Sequence, residues 1–156
     1  MKIKLLILDI DGILTDGRYI IDAFNNEYKS LNYRDSDAIT WLKNKGLNIA
    51  LLTGEDSLFV DNIANRLKVT NIIKGAKNKE KALRRLSKSL QISLSDICYV
   101  GDSDRDAIAL KYCGLGIVPS NASRKARESA QIILKSKGGE GVIQEVLEYL
   151  NDNKYF

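Results

Sequence analysis

Histidine is absent from the sequence, and this absence excludes several common kinds of active site. Without histidine there is no Ser-His or Cys-His nucleophile pair, no imidazole general base and no histidine-ligated zinc. Any hydrolytic chemistry must therefore depend on carboxylates, on lysine and on a hard metal ion that prefers oxygen ligands.

Cysteine is scarce as well, since only Cys98 and Cys113 occur. Both lie in apolar segments, where a free cysteine usually behaves as a small buried hydrophobe. We expect two inert core thiols rather than a disulfide framework, as is usual in a reducing compartment.

Long apolar stretches are missing too. Uncharged apolar runs are no longer than Leu5 to Leu8, whereas a membrane-spanning helix needs about 20 such residues. The N-terminal sequence Met-Lys-Ile-Lys soon reaches Asp9 and Asp11, so it lacks the charged, apolar and small regions of a signal peptide. These features predict a cytoplasmic protein with no membrane partner.

The net charge of +4 is concentrated between residues 74 and 88, where seven basic side chains accompany one acidic side chain. Such a patch is compatible with nucleic-acid binding. However, no aromatic side chain interrupts it and no nucleic-acid-binding module surrounds it. We therefore favour a solvated helix face or an anion-attracting rim, and we expect no nucleic-acid partner.

Four apolar runs, each followed by a polar or turn residue, predict strands buried on both faces of a parallel sheet. The runs cover residues 4–9, 47–53, 97–101 and 115–118. Helical periodicity occupies residues 37–45, 56–68, 79–90, 104–112 and 142–150. The alternation predicts a single α/β domain over residues 1–156, with a Rossmann-like, mostly parallel sheet flanked by helices.

Two segments do not follow this alternation. In residues 17–33, apolar side chains flank Asn25-Asn26, which predicts a β-hairpin projecting between the first strand and the first helix. Its apolar side chains need burial, either in an oligomer or by folding back onto the domain; they are Tyr19, Ile21, Tyr28 and Leu31. The glycine-rich residues 138–141 begin a C-terminal tail, 138–156, that includes the last helix.

Polar side chains follow the predicted strands, and open α/β sheets bind ligands at the carboxyl ends of their strands. The residues are Asp9 and Asp11, Thr53 with the turn residue Gly54, and Asp102 and Asp106. One aspartate could simply cap a turn, but capping requires no second and third acid at the same edge. Clustered acids repel one another unless a cation is present, and oxygen ligands indicate magnesium. The sequence therefore predicts a Mg²⁺ site.

The segments 9–15 and 51–54, a lysine that follows them, and the segment 101–106 resemble the four ordered motifs of the haloacid dehalogenase-like phosphohydrolases. The segments are Asp-Ile-Asp-Gly-Ile-Leu-Thr, Leu-Leu-Thr-Gly and Gly-Asp-Ser-Asp-Arg-Asp. The resemblance implies a magnesium-dependent phosphomonoesterase that works through an aspartyl-phosphate. It assigns Asp9 as nucleophile, Asp11 as general acid/base and Thr53 as a phosphate hydroxyl donor. It also assigns the metal site to Asp9, Asp11 and Asp102, with Asp106 in support.

The position of the phosphate-binding lysine is less determined by the sequence, because several lysines follow Gly75 closely. In the related phosphatases this lysine lies a few residues after a glycine and opens a helix, and Lys79 fits that description best. The neighbouring candidates are Lys74, Lys77 and Lys81.

The short spacings between the motifs leave no room for a cap domain, so the chain resembles the capless branch of the family. That branch includes phosphatases of 3-deoxy-manno-octulosonate 8-phosphate and of nonulosonate 9-phosphates. The resemblance implies a sugar-acid phosphate as the small-molecule substrate. It also implies a homotetramer, in which the hairpin takes the place of a cap and a neighbouring subunit covers each site.

The residue after the second motif favours the nine-carbon substrate. The octulosonate enzymes usually have arginine there, whereas this chain has Glu55, as the nonulosonate enzymes do. We expect Glu55 to accept hydrogen bonds from sugar hydroxyls, and Arg66 either orients it or is an ordinary exposed arginine. The expected substrate-binding residues are Thr53, Gly54, Glu55, Arg66 and Lys79. Two alternatives stay open: a catalytically weak binding or regulatory protein on this fold, and a phosphatase of another small sugar phosphate.

Overall fold

The computed structural model describes residues 2–155, so Met1 and Phe156, the ends of the predicted domain, lie outside the described residues. Six parallel strands form one sheet: β1 (Leu5–Leu8), β4 (Asn48–Leu52), β5 (Asn71–Ile73), β6 (Ile97–Val100), β7 (Leu115–Val118) and β8 (Ile132–Ile133). The flanking helices are α1 (Tyr33–Asn44), α2 (Leu58–Leu67), α3 (Lys79–Leu90), α4 (Ala107–Tyr112), α5 (Arg124–Ser129) and α6 (Val142–Asp152). The predicted α/β class is confirmed.

The central strand β1 is buried on both faces because successive side chains of a strand point to opposite sides of the sheet. Leu6 and Leu8 contribute to the core beneath α1, α2 and α6. Leu5 and Ile7 contribute to the core beneath α3, α4 and α5. The continuous apolar run in β1 is therefore explained by two layers of helices, one on each face.

The strand order β5-β4-β1-β6-β7-β8 reverses direction at β1. The chain leaves β1 toward β4 and β5 on one side, and then crosses to β6 on the other. In open α/β sheets this reversal opens a crevice at the carboxyl ends of the strands. The ends of β1, β4 and β6 therefore come together, although long stretches of sequence separate them.

The sequence-based boundaries differ from the structure where a side chain caps a turn. Helix α1 begins at Tyr33 rather than residue 37, because the Asn32 side chain accepts a hydrogen bond from the Arg34 amide and caps the helix. Helix α4 begins at Ala107 rather than residue 104, since a turn closed by Asp106 precedes it. The short elements β8 and α5 were not predicted from the sequence, and each has too few residues for periodicity to reveal it.

The predicted hairpin is present as strands β2 (Ile20–Ile21) and β3 (Glu27–Tyr28), which pair antiparallel. Asp22 organises the turn: its carboxylate accepts hydrogen bonds from the amides of Phe24 and Asn26 and from the hydroxyl of Tyr28. Leu31 departs from the prediction, because it packs against the core of its own domain instead of projecting with the hairpin.

Two further expectations concern the thiols and the membrane. Cys98 and Cys113 are free and buried, as predicted, and burial raises the pKa of both thiols, that of Cys113 to about 11. Among residues 2–155, every helix is too short or too polar to cross a membrane.

The C-terminal segment is attached to the first motif and to helix α1. Gly138 lies so close to the backbone of Gly12 that a Cβ there would collide with it. Helix α6 has no cap from its own segment; instead, the buried carboxylate of Asp35 in α1 accepts hydrogen bonds from the amides of Ile143 (2.8 Å) and Gln144 (3.1 Å). A side chain distant in sequence thus satisfies the N-terminus of α6.

Replacing Asp35 with alanine should destabilise the protein, because the α6 amides lose a buried charged acceptor. Hydrogen bonds to charged groups contribute about 1.5 to 3 kcal/mol, so the free energy of unfolding should fall by that amount in a urea titration. Asp37→Ala is the matched control, since Asp37 is exposed on the same helix. Equal losses in both variants would contradict this account.

Candidate active site

The carboxyl ends of β1, β4 and β6 surround a crevice of about 490 Å³. It is lined by nearly all of the residues expected from the motifs and by several that were not expected: Asp9, Asp11, Gly12, Gly17, Thr53, Gly54, Glu55, Lys79, Asp102, Ser103 and Arg105. The sheet edge has therefore brought the separated motifs to one place, as the order of the strands requires.

A buried ion-pair cluster forms the base of the crevice. Lys79 opens helix α3, and its Nζ lies 2.5 Å from Asp9 Oδ2 and 2.7 Å from Asp106 Oδ1. The side chain of Lys79 is only 3% exposed, so its charge is balanced almost entirely by these two carboxylates. The other three candidate lysines line a different groove beside α3. The geometry thus selects Lys79 from the candidates that the sequence offered.

Asp106 is the most fully hydrogen-bonded acid of the cluster. Its Oδ1 accepts from Lys79 and from the Tyr99 hydroxyl (2.6 Å). Its Oδ2 accepts from the amide and hydroxyl of Ser103, at 2.9 and 2.7 Å. Although burial acts in the opposite direction, Lys79 and these donors lower the pKa of Asp106. Asp106 is therefore an ionised anchor that fixes Lys79 and the loop after β6.

The remaining acids at the base have a different electrostatic environment. Burial raises the pKa of Asp9 to about 7, although Lys79 opposes the shift. Burial and the nearby Asp106 raise the pKa of Asp102 to about 6. Buried acids whose ionised forms are costly are stabilised when a further cation neutralises them.

A divalent cation fits this donor set. Asp9, Asp102 and Asp106 each place one carboxylate oxygen within 4.8 Å of the others. Gly12 has a φ of +84°, and a Cβ at that position would collide with the Asp102 carboxylate, so only glycine leaves room for Asp102 to face Asp9. Carboxylate oxygens are the ligands that magnesium prefers. The side chain of Asp11, which the sequence analysis also assigned to the metal, is outside this group.

Asp11 belongs to a second ion-pair cluster, at the mouth of the crevice. Lys29, from the hairpin, places its Nζ 3.2 Å from Asp11 Oδ1 and 2.6 Å from Glu55 Oε2. Burial, with a smaller contribution from Glu55, raises the pKa of Asp11. Although burial opposes it, hydrogen bonds with Asp11, Lys29 and Ser57 lower the pKa of Glu55 to about 2.

One predicted site residue lies elsewhere. Arg66 is exposed in the last turn of α2 and does not line the crevice, so it does not orient Glu55 within the same chain. The Glu55 carboxylate instead contacts Lys29, the Ser57 hydroxyl and Asp11. The physical reason is that Lys29 reaches Glu55 from the hairpin, and this contact could not be inferred from helical spacing along α2.

Sequence reasoning missed four residues of the site: Lys29, Tyr99, Ser103 and Arg105. Ser103 and Arg105 lie inside the motif segment 101–106, so their positions alone could have suggested that they belong to the site. Tyr99 is the one polar side chain within a buried strand, which is itself a signal of a buried hydrogen bond. Nothing in the local sequence distinguishes Lys29 from other surface lysines.

Comparison with known proteins agrees with the fold and identifies the family. Residues 68–146 match the sequence profile of the haloacid dehalogenase-like hydrolases. The 3-deoxy-D-manno-octulosonate 8-phosphate phosphatase of Escherichia coli K12 is 30% identical over 149 residues, which are 96% of this chain and 79% of that protein. The chain belongs to the haloacid dehalogenase-like hydrolase family. This confirms the resemblance drawn from the motifs.

Solved structures of the family superimpose closely on this chain. The phosphatase of the same name from Moraxella catarrhalis, in complex with magnesium, phosphate and 3-deoxy-manno-octulosonate, has a TM-score of 0.93 at 35% identity, covering 98% of this chain and 89% of that one. The cobalt-bound phosphatase from Haemophilus influenzae has a TM-score of 0.91 at 28% identity, covering 97% and 88%.

Substitution of Lys79 by methionine should lower the stability of the protein by removing the positive charge at the base of the crevice. Asp9 and Asp106 would lose their shared counter-ion, and breaking a buried pair costs as much as about 3 to 5 kcal/mol of stability. The loss should be largest in a chelator and smaller in excess Mg²⁺, because the carboxylates left without their counter-ion should bind the ion more tightly than those of the parent protein, and tighter binding to the folded state adds more stability. Urea titrations under both conditions measure it.

Lys74→Met is the matched control for this prediction. Lys74 pairs with Asp56 and Asp61 on the exposed surface, and such pairs contribute about 0 to 1 kcal/mol. A Lys79 variant as stable as the Lys74 variant would contradict the assignment of Lys79 as the essential counter-ion.

Proposed function

We propose that the protein is a magnesium-dependent phosphatase of a phosphorylated 2-keto-3-deoxy sugar acid. The observation that carries the proposal is the juxtaposition of Asp9, Asp11, Thr53, Lys79 and Asp102 in one crevice. A binding or regulatory protein on the same fold would have no need to retain every one of these groups. The crevice also suits a charged ligand, because six of its eleven lining residues have charged side chains.

In this proposal, Asp9 is the nucleophile. One Asp9 oxygen attacks phosphorus, a phosphorus–oxygen bond forms to the aspartate, and the bond to the sugar oxygen breaks. Asp9 Oδ1 accepts a hydrogen bond from the Ile10 amide and Oδ2 is held by Lys79, so the carboxylate keeps a fixed orientation. The buried Thr53 hydroxyl and the Lys79 ammonium bind the phosphoryl oxygens.

Asp11 moves the protons. It donates one to the departing sugar oxygen and later accepts one from the water that hydrolyses the aspartyl-phosphate. Thr15 donates to one oxygen of the Asp11 carboxylate at 3.2 Å, and Lys29 contacts both oxygens. Asp9 and Asp102 would hold magnesium with Asp106 in support. When bound, the ion neutralises charge on the phosphoryl group.

The eight-carbon 3-deoxy-manno-octulosonate 8-phosphate is the proposed substrate, because the similar curated and solved proteins carry that name at up to 35% identity. A nine-carbon 9-phosphate is the second candidate, favoured by Glu55. In the structure, both oxygens of Glu55 already accept hydrogen bonds, from Lys29 and Ser57. A sugar hydroxyl would therefore have to share these acceptors, which weakens the case for the longer substrate.

The proposal predicts phosphate release that requires both Mg²⁺ and Asp9. Chelation should abolish release and Mg²⁺ should restore it, and Asp9→Asn should lower kcat/KM at least about 10³-fold because the covalent route is lost. Phosphate release is measured for the eight-carbon 8-phosphate, the nine-carbon 9-phosphate and a simple sugar phosphate.

Asp37→Asn, at an exposed position, is the control for this measurement. Full turnover by the Asp9 variant would exclude the proposed mechanism. A higher kcat/KM on the simple sugar phosphate would exclude the proposed substrate class and leave the mechanism standing.

We also propose a homotetramer assembled through the hairpin, with a neighbouring subunit covering each crevice in place of a cap domain. Five large apolar side chains of the hairpin are more than half exposed: Tyr19, Ile20, Ile21, Phe24 and Tyr28. A patch of this kind is typical of an interface, and a two-stranded hairpin cannot bury it alone.

A charge placed in this patch should dissociate the assembly. Ile20→Lys and Phe24→Lys should each lower the mass measured by light scattering from tetramer toward monomer, because the charge would have to be desolvated at the interface. Ile133→Lys, on the edge strand β8 and 54% exposed in the isolated chain, is the control. A monomeric parent protein with full activity would contradict both the tetramer and the covering subunit.

A further inference from the structure

Lys29, a side chain of the hairpin, contacts two acids at the mouth of the crevice, Asp11 and Glu55. It follows β3 directly, yet its side chain is only 7% exposed, whereas the preceding Tyr28 is 54% exposed. Its Nζ lies over the ring of Phe59 in α2, 4.8 Å from the ring centroid. This residue is therefore held in place by a cation–π contact as well as by ion pairs.

The ammonium of Lys29 has three carboxylates within ion-pair distance. Its Nζ lies 2.6 Å from Glu55, 3.2 Å from Asp11 and 3.4 Å from Glu27. Burying a lysine side chain costs conformational entropy and desolvation, and this cost is offset only by good partners. The shortest contact belongs to Glu55, which itself is held by the Ser57 hydroxyl at 2.5 Å. Glu55 thus anchors Lys29, and Lys29 in turn fixes Asp11.

A substrate-binding role explains these contacts less well. An ammonium that receives a substrate carboxylate should face the crevice unpaired, whereas that of Lys29 is already shared among acids. Lys29 contacts both oxygens of the Asp11 carboxylate and so restricts its orientation. Besides Lys29, the Asp11 carboxylate is held by the Thr15 hydroxyl at 3.2 Å and by a hydrogen bond with Glu55. A displacement of about 1 Å in a catalytic group can cost about 10²-fold in rate.

We infer that Lys29 is a positioning residue that holds Asp11 where it meets the departing sugar oxygen, with Glu55 as its anchor. The inference rests on the proposed role of Asp11 as the proton donor. It also gives Glu55 a function that does not require contact with the sugar, and it links the hairpin to the chemistry of its own subunit.

The leaving group provides the test. An alkyl phosphate ester releases a poor leaving group that needs a proton from Asp11, whereas p-nitrophenyl phosphate releases a stable nitrophenolate that needs none. Because kcat/KM reports the steps up to the first irreversible one, Lys29→Met should lower it about 10- to 100-fold for the octulosonate 8-phosphate and much less for p-nitrophenyl phosphate. Activity on the aryl ester also shows that the variant has folded.

Three companion variants separate the possible causes. Lys29→Arg keeps the charge and should recover part of the loss on the alkyl ester. Lys74→Met, a surface lysine paired with two acids outside the crevice, should leave both esters unaffected. Asp11→Asn should show the same dependence on the leaving group, and adding Lys29→Met to it should cause little further loss, because both changes remove one function.

The outcomes are distinguishable. Equal losses of Lys29→Met on both esters, or no loss on either, would overturn the inference. A loss confined to the sugar-acid ester and absent with glucose 6-phosphate would also overturn it, since Lys29 would then bind the substrate carboxylate. If Asp11→Asn retains full turnover of the alkyl ester, the proposed role of Asp11 fails instead.

Discussion

The ammonium of Lys79, enclosed between Asp9 and Asp106, is the interaction on which the site depends. These three charges lie in a nearly dry environment where none could exist alone, because an isolated buried charge costs several kcal/mol or more. Their mutual compensation keeps a carboxylate at the end of the central strand and keeps it oriented. Tyr99 and Ser103 complete the hydrogen bonding of Asp106, so the anchor extends into β6 and the loop behind it.

Charge balance also explains why the crevice is suited to a divalent cation. The two enclosed ammonium groups, Lys79 at the base and Lys29 at the mouth, are each shared by more than one acid. Asp102 faces the base with no side-chain donor of its own among residues 2–155, and its pKa is raised by burial. A site with more buried acids than cations is stabilised when it binds a metal ion. The bound ion would then offer positive charge to a phosphoryl group.

The fold was largely predictable because its periodicities are long and consistent. Strand β7 and helix α3 have the predicted boundaries, since apolar runs and amphipathic spacing define them locally. The start of α1 and the elements β8 and α5 were harder to predict. Asn32 caps α1 upstream of its apolar periodicity, and β8 has only two residues, which pair with β7 at the edge of the sheet. The existence of β8 therefore depends on a neighbouring strand that the local sequence does not contain.

The amino-acid sequence by itself determined which chemical groups are available. It contains no histidine, it places acids at the ends of buried strands, and it supplies a hydroxyl and a lysine in the order of the family's motifs. Tertiary structure alone decided which groups touch. Lys79 meets Asp9 across 70 residues of sequence, and Lys29 meets Glu55 across 26, whereas Arg66 is exposed on α2 and does not line the crevice. The physical reason is that hydrogen bonds and ion pairs act over about 3 Å, so their partners are fixed by how strands and loops pack, whereas residue types and periodicity are already present in the chain.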